Sequence, residues 1–168
     1  MSLKFKNFIR TKFPFLILIT FIPLIFGLII YMTNEKDAHA TVNLSHNNHE
    51  IISLGKSVYT QNCGSCHGIK LEGQKNWMSQ LPDGLMPAPP HDETGHTWHH
   101  SDKYLFMITK YGIEDIIGQK YPNNMPAYKD ILSDKEIISV LSYIKSTWPN
   151  RIKKIHDQIN AREKSNQS

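Results

Sequence analysis

The sequence predicts an all-α protein, a small helical domain preceded by one N-terminal transmembrane helix. Three observations lead there. Apolar residues recur at helical spacing in several segments that open on capping residues. No segment of the 168 residues reads as a strand, and there are no internal repeats. One run of 20 residues, 13–32, carries no charge. The length allows about one domain plus appendages.

Residues 1–12 form a basic N-terminus with Lys4, Lys6, Arg10 and Lys12. At ~1.5 Å per residue the run behind it reaches about 30 Å as a helix, the thickness of a hydrocarbon core. Pro14 sits at its start, where a helix tolerates it, and Pro23 kinks it in a way membrane helices accommodate. The positive flank stays in the cytoplasm, so the remainder emerges on the far side. The length of the run favours an uncleaved signal-anchor. Ala38-His39-Ala40 resembles a cleavage site, which leaves a removed signal peptide as the alternative. Both fates export the domain. Residues 33–49, rich in Asn, His and Ser, read as a polar tether.

A short helix follows over about residues 50–62, with Ile51, Ile52, Val58 and Tyr59 as its apolar points. Gly55 shares a face with Tyr59 and lets another helix approach closely. The helix runs into Cys63-Gly64-Ser65-Cys66-His67, a C-x-x-C-H motif that matches covalent haem attachment. Two cysteines three apart lie on one side of a helical turn. Each thiol can then form a thioether with one haem vinyl group, while the following imidazole is carried under the macrocycle to bind iron. These are the chain's two cysteines, so none is left for a disulfide. A thioredoxin-like redox pair needs a βαβ context, and a zinc site needs two more Cys or His ligands.

Residues 68–100 form a long loop punctuated by Pro82-Asp83-Gly84, Pro87, Pro89 and Pro90. Wrapping a large flat cofactor would explain its length. His91, Asp92, Glu93, His96, His99 and His100 crowd its end. They read as loop side chains that bond backbone or haem propionates, with Trp98 against the macrocycle. A copper or zinc site is the competing reading.

Ser101 caps a helix over residues 102–111 with Tyr104, Leu105, Ile108 and Tyr111 on one face, ended by Gly112. Residues 118–129 are again loop. Ser133-Asp134-Lys135-Glu136 is a capping box opening a helix to about Thr147, with Ile137, Val140, Leu141, Tyr143 and Ile144 toward the core. Pro149 marks its stop or a bend. Residues 150–168 form a basic tail in which Ile152, Ile155 and Ile159 recur at helical spacing. It reads as a solvated tail helix, with an anionic membrane surface or a partner protein as alternatives.

Charge follows this division. Residues 35–150 carry ten basic and thirteen acidic groups, net −3, and residues 151–168 carry five and two, net +3. The basic character therefore comes from the two ends, and no nucleic-acid-binding face is present in the middle. The domain's apolar content is modest, so a covalent haem would supply the body around which short helices pack.

The second axial ligand is sought among six methionines. Met1 and Met32 belong to the N-terminal segment, Met78 and Met86 to the first loop, and Met107 to a helix where packing is the ordinary role. Met125 precedes Pro126, which holds it on stiff irregular backbone able to reach across a haem face. It ranks first. Met86 also precedes a proline and is the runner-up.

Taken together, Gly55 and Tyr59, the Cys63–His67 motif with Gly68, Asn124-Met125-Pro126-Ala127-Tyr128, and the capped last helix with Tyr143 resemble the class I monohaem cytochromes c. The resemblance covers about residues 50–149. It implies a cytochrome c-like domain wrapped around haem, whose first and last helices cross near Gly55, Tyr59 and Tyr143. It implies Cys63 and Cys66 as thioether sites, with His67 and Met125 as axial ligands of one covalent haem c. It also implies a carbonyl from a proline-bearing loop on the proximal imidazole, with Pro89 or Pro90 nearest.

The expectation is a membrane-anchored, single-pass cytochrome of a bacterial inner membrane with its haem domain on the periplasmic side. It carries one electron at a time between redox partner proteins, is not an enzyme and binds no nucleic acid. The alternatives are a haem protein with an open iron site for gas or peroxide, and a metal-handling protein built on the histidine loop.

Overall fold

The computed structural model describes residues 42–166. The transmembrane run 13–32 and the Ala38-His39-Ala40 site lie outside the described residues. Among those described, no helix is long and apolar enough to cross a membrane. The elements are α1 (His49–Asn62), α2 (Gly64–His67), a 3₁₀ turn (Thr97–His99), α3 (Asp102–Tyr111), α4 (Ile113–Ile117), α5 (Asp134–Thr147) and α6 (Asn150–Ser165). No strand occurs among the described residues.

The organising contact is the crossing of α1 and α5. A Cβ on Gly55 would run into the Ser139 carbonyl and stand 2.8 Å from the Tyr143 Cβ, so only glycine allows the two backbones this close. Tyr59 and Tyr143 meet beside it with ring centroids 5.6 Å apart. Ile137, Val140, Leu141 and Ile144 of α5 then bury against Val58 and Tyr59 of α1 and against Leu105 and Phe106 of α3.

The caps form as their residues require. Asn48 accepts from the amides of Glu50 and Ile51 at the start of α1. The Ser101 hydroxyl accepts from the Tyr104 amide. Ser133 and Glu136 form the full capping box on α5. Gly112, at φ +88°, ends α3, and the backbone then makes the single turn α4, an element the sequence reading did not anticipate. The buried face of α3 is Asp102, Leu105, Phe106 and Thr109; of the expected Tyr104, Leu105, Ile108 and Tyr111, Leu105 is buried and the face is rotated away from the other three.

Two expectations are corrected. The tether expected over residues 33–49 does not run free to its end. Leu44 is buried, its amide donates to the Asp102 carboxylate at 2.9 Å, and the Ser45 amide donates to the Ser142 hydroxyl at 3.0 Å. The basic tail over residues 150–168 is not solvated on all sides either. Trp148 is extended, as a residue before proline prefers, and the chain turns there into α6. Ile152 and His156 of α6 are buried. The His156 Nε2 donates to the His100 carbonyl at 2.8 Å. The Asn160 side chain closes a reciprocal pair with Asp102, accepting from its amide at 2.7 Å and donating to its carboxylate at 2.9 Å.

Candidate functional site

The site is built at the end of α1. The Cys63 amide still donates to the Tyr59 carbonyl, and the Cys63 carbonyl in turn accepts from the amides of Cys66 and His67, which winds the motif into the single turn α2. Both thiols are free, Cys63 half-buried and Cys66 exposed. Burial, and secondarily the neighbouring Cys66, pushes the Cys63 thiol up to about 11. Gly68 leaves the turn at φ +80°, in the left-handed region. Its carbonyl accepts from the Tyr59 hydroxyl at 2.9 Å, fastening the motif to α1.

His67 is 8 % exposed. Its Nδ1 lies 2.8 Å from the Pro89 carbonyl. A carbonyl only accepts, so Nδ1 carries the proton and Nε2 carries the lone pair. Burial holds the imidazole below its ordinary value, opposed by the Pro89 carbonyl. A neutral, oriented imidazole is the form that binds a metal. Of the two candidate prolines, Pro89 makes this bond.

His91 was placed by sequence in a mixed histidine cluster, and the structure separates it from the others. Its ring stacks on His67 with centroids 4.0 Å apart at 22°. The Thr97 hydroxyl meets its Nδ1 at 2.8 Å, and the Trp148 indole donates to its carbonyl at 2.8 Å. The remaining histidines pack against aromatic rings: His96 stacks on Trp77 and meets the edge of His100 at 5.5 Å, His100 stacks on Tyr104, and His99 stacks on Trp98. Among the described residues no three His, Cys, Asp or Glu side chains converge to hold a metal ion.

Met125 is half-buried and packs against the core. Its amide donates to the Asn123 side chain at 2.9 Å, which makes a tight turn ahead of Pro126. Three residues on, the Tyr128 amide donates to the Thr109 carbonyl, and its hydroxyl donates to the Asn62 carbonyl at 2.8 Å, next to Cys63. Met86 is half-buried on the adjoining segment, with its amide on the Pro122 carbonyl at 2.8 Å. Met78 is 76 % exposed, and Met107 packs against the core. The sequence gives His91 only a place in the histidine loop and Tyr128 only a place in the Met125 motif, and it gives Trp148 no role. Their bonds span 57 and 66 residues or join rings through stacking, and no local pattern announces either.

This donor set suits a covalently held haem: two thiols on one turn, a neutral imidazole with one nitrogen tied back, and a thioether on a braced loop. The comparisons agree. A family model for cytochrome c matches residues 52–148, more than half of the chain. Cytochrome c-555 of Prosthecochloris aestuarii is 29% identical over 75 residues, which are 41% of this chain and 76% of that protein. No solved structure matches. The chain belongs to the class I c-type cytochromes, a family whose cofactor is covalently attached haem c and whose chemistry is haem-based electron transfer.

Proposed function

We propose that this protein is a membrane-anchored monohaem electron carrier with its haem domain on the extracytoplasmic side of a bacterial inner membrane. Cys63 and Cys66 would hold haem c through thioether bonds, and His67 Nε2 and the Met125 sulfur would ligate its iron. The observation that carries this reading is the 2.8 Å contact between His67 Nδ1 and the Pro89 carbonyl. It fixes the tautomer, aims the ring and raises the basicity of the free nitrogen. When bound, haem c supplies an iron that gains and loses one electron. The protein's part is to hold the imidazole, keep water from the ring edge with His91 and Tyr59, and present a soft thioether that favours the reduced state.

With His67 and Met125 both on the iron, no position would be left for substrate, which supports a carrier over an enzyme. Exchange with redox partner proteins is brief and uses a small interface. The anchor is the uncharged run at residues 13–32 behind four basic residues.

Spectra of the purified reduced and oxidised protein, with carbon monoxide added to the reduced form, test the ligand set. Slow or negligible binding at neutral pH is expected for wild type, and rapid binding for Met125→Ala. Rapid binding by wild type would support an open iron site. Rapid binding by Met86→Ala with slow binding by Met125→Ala would move the thioether assignment to Met86. Membrane association of the haem protein that survives high-salt and carbonate washing tests the anchor.

A further inference from the structure

We propose that the outer face of α6 binds anionic lipid and lays the haem domain onto the bilayer, an inference that rests on the membrane anchor described above. Arg151, Lys154 and Arg162 are exposed. At 100° per residue they fall within an arc of about 80° on the side away from the buried Ile152 and His156. No free acid interrupts the arc. Asp157 lies at its edge and is held by the Lys145 ammonium at 2.7 Å, and Glu163 is half-buried on the other side. Gln158 and Ala161 fill the space between the cations.

The face carries charge without grease. The exposed large hydrophobic side chains of the domain are Ile69, Met78, Leu81 and Ile131, none of them on α6. A protein interface is anchored by buried aromatic or aliphatic side chains. A straight row of cations lacking them fits a layer of mobile anionic headgroups, which move to meet each charge. The contrast with the rest of the domain is strong, since residues 35–150 are net −3 and residues 151–168 net +3. The tail is therefore the basic segment of an otherwise acidic stretch of sequence.

The length of the tether sets how far the domain can stand from the bilayer. The first described residues run beside α6: the Leu44 amide binds Asp102, the same carboxylate that holds Asn160. Nine residues, 33–41, separate the first described residue, Val42, from the end of the uncharged run. Fully extended they span about 30 Å at most. Each cation brought near an anionic surface adds about fivefold to the affinity, and the gain is lost within a Debye length of about 8 Å at physiological salt.

The test uses the full-length haem-loaded protein in nanodiscs of phosphatidylcholine alone or with phosphatidylglycerol. The rate of acetylation at Lys154 is measured by mass spectrometry, with exposed Lys56 and Lys135 as internal references. The expected result is Lys154 reacting at least fivefold slower in anionic discs, with the wild-type rate in neutral discs restored by high salt and largely by R151Q/R162Q. Equal relative rates in both discs would overturn the proposal, as would protection that appears only when a soluble redox protein is added. If intact mass shows that the mature protein lacks residues 13–32, the anchor reading fails separately. Flotation of that mature protein with the two lipids then decides the α6 face: binding to anionic vesicles alone supports it, and binding to neither sinks it.

Discussion

The Tyr128 hydroxyl donates to the Asn62 carbonyl at 2.8 Å and so ties the Met125 loop to the residue before Cys63. One bond joins the segment of the proposed Met125 ligand to the Cys63–His67 motif. Burial, then the neighbouring Cys63 and Cys66, pushes the phenol up to about 12, so it stays protonated and donating at any physiological pH. Tyr128→Phe keeps the ring and removes the bond. The expected loss is about 1 kcal/mol of stability by denaturant titration, together with faster carbon monoxide binding to the reduced protein as Met125 is less firmly held. Carbon monoxide kinetics unchanged from wild type would show that the loop is braced by the Tyr128 and Lys129 backbone bonds to α3 alone.

His91 stacks on His67 and is itself held by Thr97 and Trp148. Its removal leaves a gap beside the imidazole that Pro89 orients from one point only. His91→Ala is expected to cost about 1–3 kcal/mol and to broaden the electron paramagnetic resonance signal of the oxidised haem as the ring gains freedom. His91→Phe, which keeps a flat ring in the stack, recovers the sharp signal. A sharp signal in the alanine variant would show that the Pro89 carbonyl suffices.

Gly55→Ala tests the helix crossing. The added methyl meets the Ser139 carbonyl, which is backbone and cannot swing aside, and the Tyr143 Cβ. The α1–α5 pair must separate, at a cost on the order of 3 kcal/mol or more. Thermal unfolding of the haem-loaded protein should show a sharply lowered midpoint or no holoprotein. A shift of a degree or two would mean that the helices part easily.

What the sequence disclosed, and what it hid, follows from the range of each interaction. The capping box of Ser133 and Glu136, the stop at Gly112 and the turn at Cys63–His67 are local, and residue type at fixed offsets announces them. Gly55 was legible because its lack of a side chain on an apolar face has one ordinary purpose. Choosing Pro89 over Pro90 required the loop's path. The docking of α6 was hidden because it uses polar side chains, His156 on the His100 carbonyl and Asn160 on Asp102, in a helix whose few isoleucines look too sparse to bury. The seat of Leu44 was hidden for the same reason, since a backbone amide finding a carboxylate 58 residues away leaves no trace in composition.

The same polar seam makes stability depend on pH, and the sign can be worked out. His156 is buried, and desolvation first, then the Lys145 ammonium, lowers its pKa from 6.5. Asp102, Asp157 and the His100 carbonyl oppose this and only partly offset it. In the unfolded chain the imidazole takes a proton as pH falls through about 6.5, while in the folded protein it stays neutral until lower pH. The unfolded state then binds more protons, so stability falls with falling pH below about 6.5, by up to ~1.4 kcal/mol per pH unit for one proton. His156→Gln can keep a donor on the His100 carbonyl and carries no titrating ring. Its unfolding free energy, measured by denaturant between pH 8 and pH 5, should start below wild type and decline less steeply. Because α6 is what His156 holds, hydrogen exchange of the α6 amides should accelerate in wild type over the same interval and change little in the glutamine variant. Parallel acid limbs for the two proteins would assign the pH dependence to other, half-buried histidines, His46 and His100 among them, whose pKa values partial burial also lowers.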